Sequence, residues 1–240
     1  MEMYHRIQQE LADLAGRFGL QSERMEISAR TMTPAEAIGA PEKKDFPLLQ
    51  GKEVMIEARF LGSRGEAYTC MPGNYSGTVA DIVGLPLASD FERACLIASL
   101  NAVMNELGLV ERTVHCRNQD LERCAARLVE YVRECFGSPR IAFVGFQPAM
   151  IAALAPLFAI KVLDLDPANV GTEKYGVKIH GPEETAAILE WASIILATGS
   201  TAVNGTMGRF LQKKPTVFYG VSGAGISHLY GYERFCPYAS

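Results

Sequence analysis

No segment of this 240-residue chain approaches the roughly 20 consecutive apolar residues that a membrane helix needs. A membrane-spanning helix is therefore not expected. Long basic runs are also missing, and the formal net charge is −4. Nucleic acid and anionic membrane are thereby excluded as expected partners. The first 20 residues are amphipathic and carry acids among their apolar positions. They lack the continuous apolar stretch behind a basic start that marks an export signal, so a cytoplasmic location is expected. Six cysteines are present: Cys70, Cys95, Cys116, Cys124, Cys135 and Cys236. None forms a CxxC pair, and reduced thiols are the simplest expectation. Repeats and low-complexity segments are absent. So are the Walker loop, the HExxH motif and a nucleophile elbow.

What remains is an ordinary globular composition, 48% hydrophobic and 21% charged. It suffices for one large domain or two small ones. Ile7, Leu11, Leu14, Ala15 and Phe18 recur at helical spacing and predict a helix over 3–19, stopped by Gly19. A strand is expected near 26–31, and a surface loop over 33–52. Strands at 54–61 and 66–71 form a hairpin turning on Gly62-Ser63-Arg64-Gly65. Residues 77–86 read as irregular. A helix over 91–107, capped by Asp90, buries a wide apolar face that includes Cys95. This first half, residues 1–117, has an α+β pattern.

From Asn118, a candidate helix cap, the pattern changes. Leu121, Cys124, Ala125, Leu128, Val132 and Cys135 define one apolar helix face. Apolar runs at 141–144, 160–165, 194–197 and 216–219 then alternate with helices starting at Pro148, Pro182 and Val203, the last reaching Gln212. Strands buried on both faces and separated by helices predict a parallel sheet with right-handed crossovers. Residues 118–240 thus read as a Rossmann-like α/β domain.

Ligands bind such sheets beyond the carboxyl ends of the strands. Those ends carry Gly145 and Gln147, then Asp164 and Asp166. The third carries Thr198-Gly199-Ser200-Thr201 with Asn204 and Thr206, and the fourth Gly220 with Ser222. Glycine admits a ligand close to the backbone, and hydroxyls with free helix N–H groups hold polar or anionic groups. The same residues also cap helices. At the Thr198 turn the hydroxyls outnumber what one cap requires. Asp164 is placed like the acid that binds a ribose in dinucleotide or methyl-donor sites. Against a dinucleotide in the usual pose, Gly145-Phe146-Gln147-Pro148 lacks the GxGxxG glycines, and Pro148 removes a helix N–H.

A second constellation is His115 with Cys116, joined by Cys236. Imidazole and thiolate are ligands for transition metals such as zinc, iron or nickel. A closed zinc site needs four ligands, and the local sequence supplies two. A satisfied histidine with two buried thiols is the alternative. Cys95, Cys124 and Cys135 are expected to pack as core. Glu53 and Glu57 form no acid/base pair by themselves, and no catalytic residue is assigned.

The run Thr198 to Thr206 (TGSTAVNGT) resembles the signature of the "putative heavy-metal chelation" family. Arg93 to Ala102 (RACLIASLNA) is similar to its amino-terminal helix motif. The segments 113–116, 218–221 and 234–237 resemble further pieces of it. The resemblance runs from about Val54 onward. It implies an amino-terminal part like the corresponding domain of enolase, a Rossmann-like second domain and a pocket between them. Metal chelation passes only to His115, Cys116 and Cys236, as candidates. Three readings follow. The first is an enzyme or binder for a small polar or anionic molecule, with or without a metal, in metal-chelator or metallocofactor metabolism. The second is a non-catalytic heavy-metal-binding protein. The third is an interaction module or homo-oligomer subunit.

Overall fold

The computed structural model describes residues 2–20, 30–211 and 214–240. Helix α1 (Glu2–Arg17) buries Ile7, Leu11, Leu14 and Ala15, as their spacing requires. The strand expected near 26–31 lies mostly outside the described residues, and its end falls in β1 (Arg30–Met32). Inside the expected loop, Thr33 and Glu36 form a capping box that starts a short helix, α2 (Pro34–Ile38).

Strands β2 (Val54–Phe60) and β3 (Ser63–Thr69) complete an antiparallel sheet in the order β1-β2-β3. Phe60 pairs with Ser63, so the hairpin turns on Leu61-Gly62 and not on the expected four residues. Gly65 lies within the strand because helix α4 crosses it there. A Cβ at Gly65 would sit 2.3 Å from both Ala98 O and Ala102 N. The stretch 77–86 is not wholly irregular, since Thr78 and Asp81 cap α3 (Val79–Val83). Ser89, with Glu92, caps α4 (Asp90–Glu106), so Asp90 is its first residue and not its cap. Every α4 residue from Ala94 to Met104 is buried. The helix is surrounded on all sides, with no solvent-facing polar stripe over that span.

The second half begins with α5 (Asp120–Phe136), whose N-cap is Gln119. Asn118 does not cap it. Its Oδ1 accepts from Ala40 N–H, and its own N–H donates to Ile38 O, so it ties this loop to α2. Cys124 is buried on α5, whereas Cys135 is exposed and not core. There follow β4 (Arg140–Val144), α6 (Pro148–Leu154), β5 (Ala159–Leu163), β6 (Glu173–Lys174), β7 (Val177–His180), α7 (Thr185–Trp191), β8 (Ile194–Thr198), β9 (Thr216–Tyr219), α8 (Ala224–Tyr230) and β10 (Glu233–Phe235). Among the described residues, the helix expected from Val203 does not form. Two 3-10 turns, Gly199–Ala202 and Met207–Arg209, flank Gly205, whose φ of 77° interrupts helical backbone.

The seven strands order as β10-β9-β8-β4-β5-β7-β6, parallel except for β6 against β7. Successive residues of β4 and β8 point to opposite faces. Ile141, Phe143, Ile194 and Leu196 pack with α5 and α6; Ala142, Val144, Ile195 and Ala197 pack in the cluster that holds α4 and α7. The fold is therefore α/β, with helices on both faces of a mostly parallel sheet. Ile56, Ala58 and Phe60 of the small sheet share that second cluster. The chain leaves β4 toward β5 on one side and returns to β8 on the other. The carboxyl ends of β4 and β8 thus form the topological switch point where such sheets open a crevice.

Candidate functional site

A cavity of about 570 Å³ opens at that switch point. Gly145 and Gln147, Asp164 and Asp166, Gly220 and Ser222 lie on its wall. Thr198, Ser200, Thr201, Asn204 and Thr206 join them, as do His115, Cys116 and Cys236. Gly199 is the one sequence-proposed residue missing from the wall. It makes close packing possible instead: a Cβ there would lie 2.2 Å from Gly223 N. The opposite wall comes from the first half and includes Glu53, Tyr68, Cys70 and Asp90.

Several of the strand-end side chains already serve as local caps. Gln147 Oε1 accepts from Met150 N–H at 2.6 Å, opening α6. Thr201 Oγ donates to Thr198 O, and Asn204 Oδ1 accepts from the N–H and hydroxyl of Thr206. Ser222 Oγ accepts from Tyr68 N–H at 2.9 Å and so joins the two halves. Tyr219 Oη donates to Val144 O across the switch point, with its ring stacked on Phe143. Gly145, at φ 99°, passes so close to Thr198 that a Cβ would meet its Cγ2 at 2.7 Å.

The acids differ in how well they are supported. Asp166 is held below the usual aspartate range by Lys52, which pairs with it. Asp164 accepts from Asp166 N–H and from Asn169 Nδ2, yet burial still raises it. Glu53 has no hydrogen-bond partner among the described residues. Burial first, then Asp164 and Asp166, push its carboxyl up to about 7. By contrast, the deeply buried Glu57 of β2, the strand that Glu53 precedes, is paired with Arg59 and Arg64.

His115 is fixed from three sides. Its backbone N–H donates to Glu66 Oε2 at 2.7 Å, and its ring stands edge-on to Tyr68 at 5.5 Å. Nδ1 lies 2.6 Å from Cys116 O. Burial lowers its basicity to about 4, so the ring is neutral near pH 7. A carbonyl can only accept, so Nδ1 carries the proton and Nε2 keeps its lone pair. Glu66 is itself pushed up to about 7 by burial, and its Oε1 is buried without a partner.

The carboxyl end of the chain completes this wall. Val114 and Ser240 exchange N–H···O bonds of 2.7 and 2.9 Å, which brings Cys236 beside the 113–116 segment. Cys124, read from sequence as core, also lines the cavity. Among the described residues, no three His, Cys, Asp or Glu side chains converge closely enough to hold one ion.

Sequence reasoning missed Glu53, Tyr68 and Cys124 as wall residues. Tyr68 in β3 and Glu53, just before β2, are turned toward the cavity only by the docking of the two halves. Cys124 does occupy an apolar helix face, and that face happens to border the cavity. His228 stays outside, exposed in the last turn of α8.

The family model described as "Putative heavy-metal chelation" (DUF364) matches residues 128–228, less than half of the chain. That span includes the Thr198 turn and excludes His115, Cys116 and Cys236. A solved DUF364 protein of unknown function from Pyrococcus horikoshii is similar in fold, with a TM-score of 0.54 and 15% identity over 92% of this chain and 80% of its own. Another, from Desulfitobacterium hafniense, has a TM-score of 0.52 and 14% identity over 92% and 83%. At these identities the likeness concerns the fold alone. No curated protein matches the sequence. No helix among the described residues is long and apolar enough to cross a membrane.

Proposed function

We propose that the protein binds a small polar molecule in the crevice between an enolase-like amino-terminal part, residues 1–117, and a Rossmann-like part, residues 118–240, in the cytoplasm. The observation that carries this reading is the cavity itself. It lies at the switch point and is walled by both halves, with an uncompensated acid, Glu53, on one side and the polar strand ends on the other. Its wall holds four carboxylates, Glu53, Asp90, Asp164 and Asp166, against the side chains of Lys52 and Arg209. That balance favours a ligand with amine or other donor groups; an anionic ligand would enter with a cation that offsets the acids.

A thermal-shift screen tests it. A ligand at 100 times its Kd adds roughly 2.7 kcal/mol to stability. Ser200→Ala and Asp164→Asn should each abolish the shift given by such a hit. Binding that survives both substitutions places the ligand elsewhere.

A second reading, heavy-metal binding through imidazole and thiolates, is favoured by one observation. The adjacent His115 and Cys116 border the same cavity as Cys236, which is distant in sequence. The donor chemistry suits a soft or borderline ion, with the neutral His115 offering Nε2. The matched family's description points the same way. Elemental analysis of protein purified without oxygen, before and after incubation with zinc, iron or nickel, checks it. Absence of stoichiometric metal in every case rules it out.

A further inference from the structure

The cavity wall changes character along the sheet. Strand order sets the ends of β8, β4, β5 and β7 side by side, and residues that follow each of them border the cavity. Past β5 and β7 the wall carries Leu165, Pro182 and Thr185, with Phe146 from the β4 turn. Leu165 is 49% exposed, an open apolar surface beside a polar crevice. Asp164 directly follows β5, about 20 residues beyond Gly145. That is where an acid takes a ribose hydroxyl in doubly wound sheets. Asp166 N–H at 2.8 Å and Asn169 Nδ2 at 3.3 Å both donate to one oxygen, Oδ1, so the carboxyl is oriented by its own loop. Phosphate, by contrast, is not provided for. Pro148 has no N–H to offer at the β4 turn, and Gln147 Oε1 already takes the Met150 N–H. The facing wall brings the acids Glu53 and Asp90, which repel phosphoryl oxygens.

We propose that the crevice holds a nucleoside whose 5′ substituent is cationic and free of phosphate, such as a sulfonium or an amine. This rests on the crevice reading above and names its ligand class. The base lies against Leu165, Phe146 and Pro182, at the ends of β5, β4 and β7. Asp164 accepts from the ribose hydroxyls. The 5′ substituent runs past the β4 turn toward Thr198 and Ser200, and its charge faces Glu53 and Asp90. Arg209, on the same wall, suits the carboxylate of an amino-acid tail. A cavity of about 570 Å³ lies within the range that encloses ligands of this size.

Isothermal titration of the full chain tests this, with S-adenosylmethionine, the four common ribonucleosides, 2′-deoxyadenosine and ADP as probes. The wild type should bind S-adenosylmethionine more tightly than adenosine, and adenosine more tightly than ADP or 2′-deoxyadenosine. Asp164→Asn should weaken S-adenosylmethionine roughly 10- to 100-fold, the loss of a hydrogen bond to a charged group. It should also erase the preference for adenosine over 2′-deoxyadenosine, which a merely structural role would leave in place. Glu53→Gln should cut the preference for S-adenosylmethionine over adenosine by roughly tenfold. Circular dichroism reports the fold of each variant. Leu165→Ala, at an exposed position, keeps the test open if Asp164→Asn misfolds, and should weaken both ligands alike by roughly fivefold. Equal or tighter binding of ADP than adenosine, or a 2′-hydroxyl preference that survives Asp164→Asn, overturns the proposal. So does failure of S-adenosylmethionine and all four ribonucleosides to bind. A thermal-shift hit of another class, abolished by Ser200→Ala, would in that case leave the crevice reading standing.

Discussion

Asn101 and Glu53 are both polar side chains enclosed between the two halves of the molecule, and they are treated in opposite ways. Asn101, in the middle of α4, is fully buried and fully engaged. Its Nδ2 donates to Glu66 O and Val221 O, and its Oδ1 accepts from Gly225 N–H at 2.8 Å. These bonds reach β3, the turn after β9 and α8, so one side chain fastens the small sheet to the large one. Glu53 lies at the same junction, on the cavity wall, and no protein group answers it. A half-buried carboxyl without a partner is costly to ionise. A fold that satisfies Asn101 so completely has the means to pair Glu53 as well. Leaving it open fits a wall that meets something from outside.

The comparison is tested most severely at Asn101. Asn101→Leu would remove its three bonds and strand two carbonyls and one N–H in the core. Each buried group left unsatisfied costs about 1–3 kcal/mol, so the three together should cost at least about 3 kcal/mol in urea unfolding. A loss below 1 kcal/mol would show that α4 is not the fastening this reading makes it. Gly65→Ala probes the same junction through packing. Its Cβ would collide with α4 backbone, which cannot rotate away, and about 2–3 kcal/mol should be lost. Gly51→Ala serves as a partial contrast, because no atom lies within 4 Å of its added Cβ, although its φ of 71° adds some strain.

The difference between these regions also explains what could be read in advance. The four central strands of the large sheet were legible because buried parallel strands are short apolar runs, as at 141–144 and 194–197, whereas β6, β7 and β10 at its edges were not read. The strand ends followed from that topology, since a doubly wound sheet has its crevice at one edge of the strands. The small sheet's contribution was not legible. Nothing local to Glu53 or Tyr68 says that their side faces β4 and β8. That depends on α4, which joins the two sheets, and on Gly65, which sets how closely it approaches. Residues 203–212 misled for another reason: apolar residues at helical spacing surround Gly205, whose left-handed backbone overrides the pattern. Cys124 was correctly placed on an apolar face, and the periodicity carries no sign of a cavity beside it.

Glu53 offers the next test. Its folded-state pKa, about 7, lies above the ordinary 4.5. A raised acid binds its proton more tightly when folded. Stability is therefore undiminished below pH 4.5 and falls as the pH rises toward 7. Glu53→Gln removes that decline. The variant should match the wild type near pH 4.5 and exceed it at pH 8 by about 2 kcal/mol, as read by urea unfolding at both values. Glu66, also pushed up to about 7, continues to titrate in both proteins and cancels in the difference. A variant less stable than wild type at pH 8 would mean that Glu53 has a structural partner after all.

The smallest expected effect lies at the edge of the same wall. Lys52 and Asp166 form a salt bridge in which each side chain keeps about a third of its exposure, 35% and 29%. Solvent screens such a pair, so Lys52→Met should cost less than about 1 kcal/mol at pH 7. The sign of its pH dependence is opposite to that of Glu53. Asp166 is lowered by Lys52, so the bridge stabilises above the ordinary aspartate value of 3.8, and that contribution is lost as the pH falls below it. The substitution also leaves Asp166 uncompensated near Glu53, which strengthens the repulsion Glu53 already feels. A double-mutant cycle of Lys52→Met with Glu53→Gln at pH 8 isolates that coupling. Glu53→Gln should stabilise the Lys52→Met protein more than it stabilises the wild type. Equal gains would show that the two sides of the wall do not sense each other, and the acids would then be separate surface groups sharing no site.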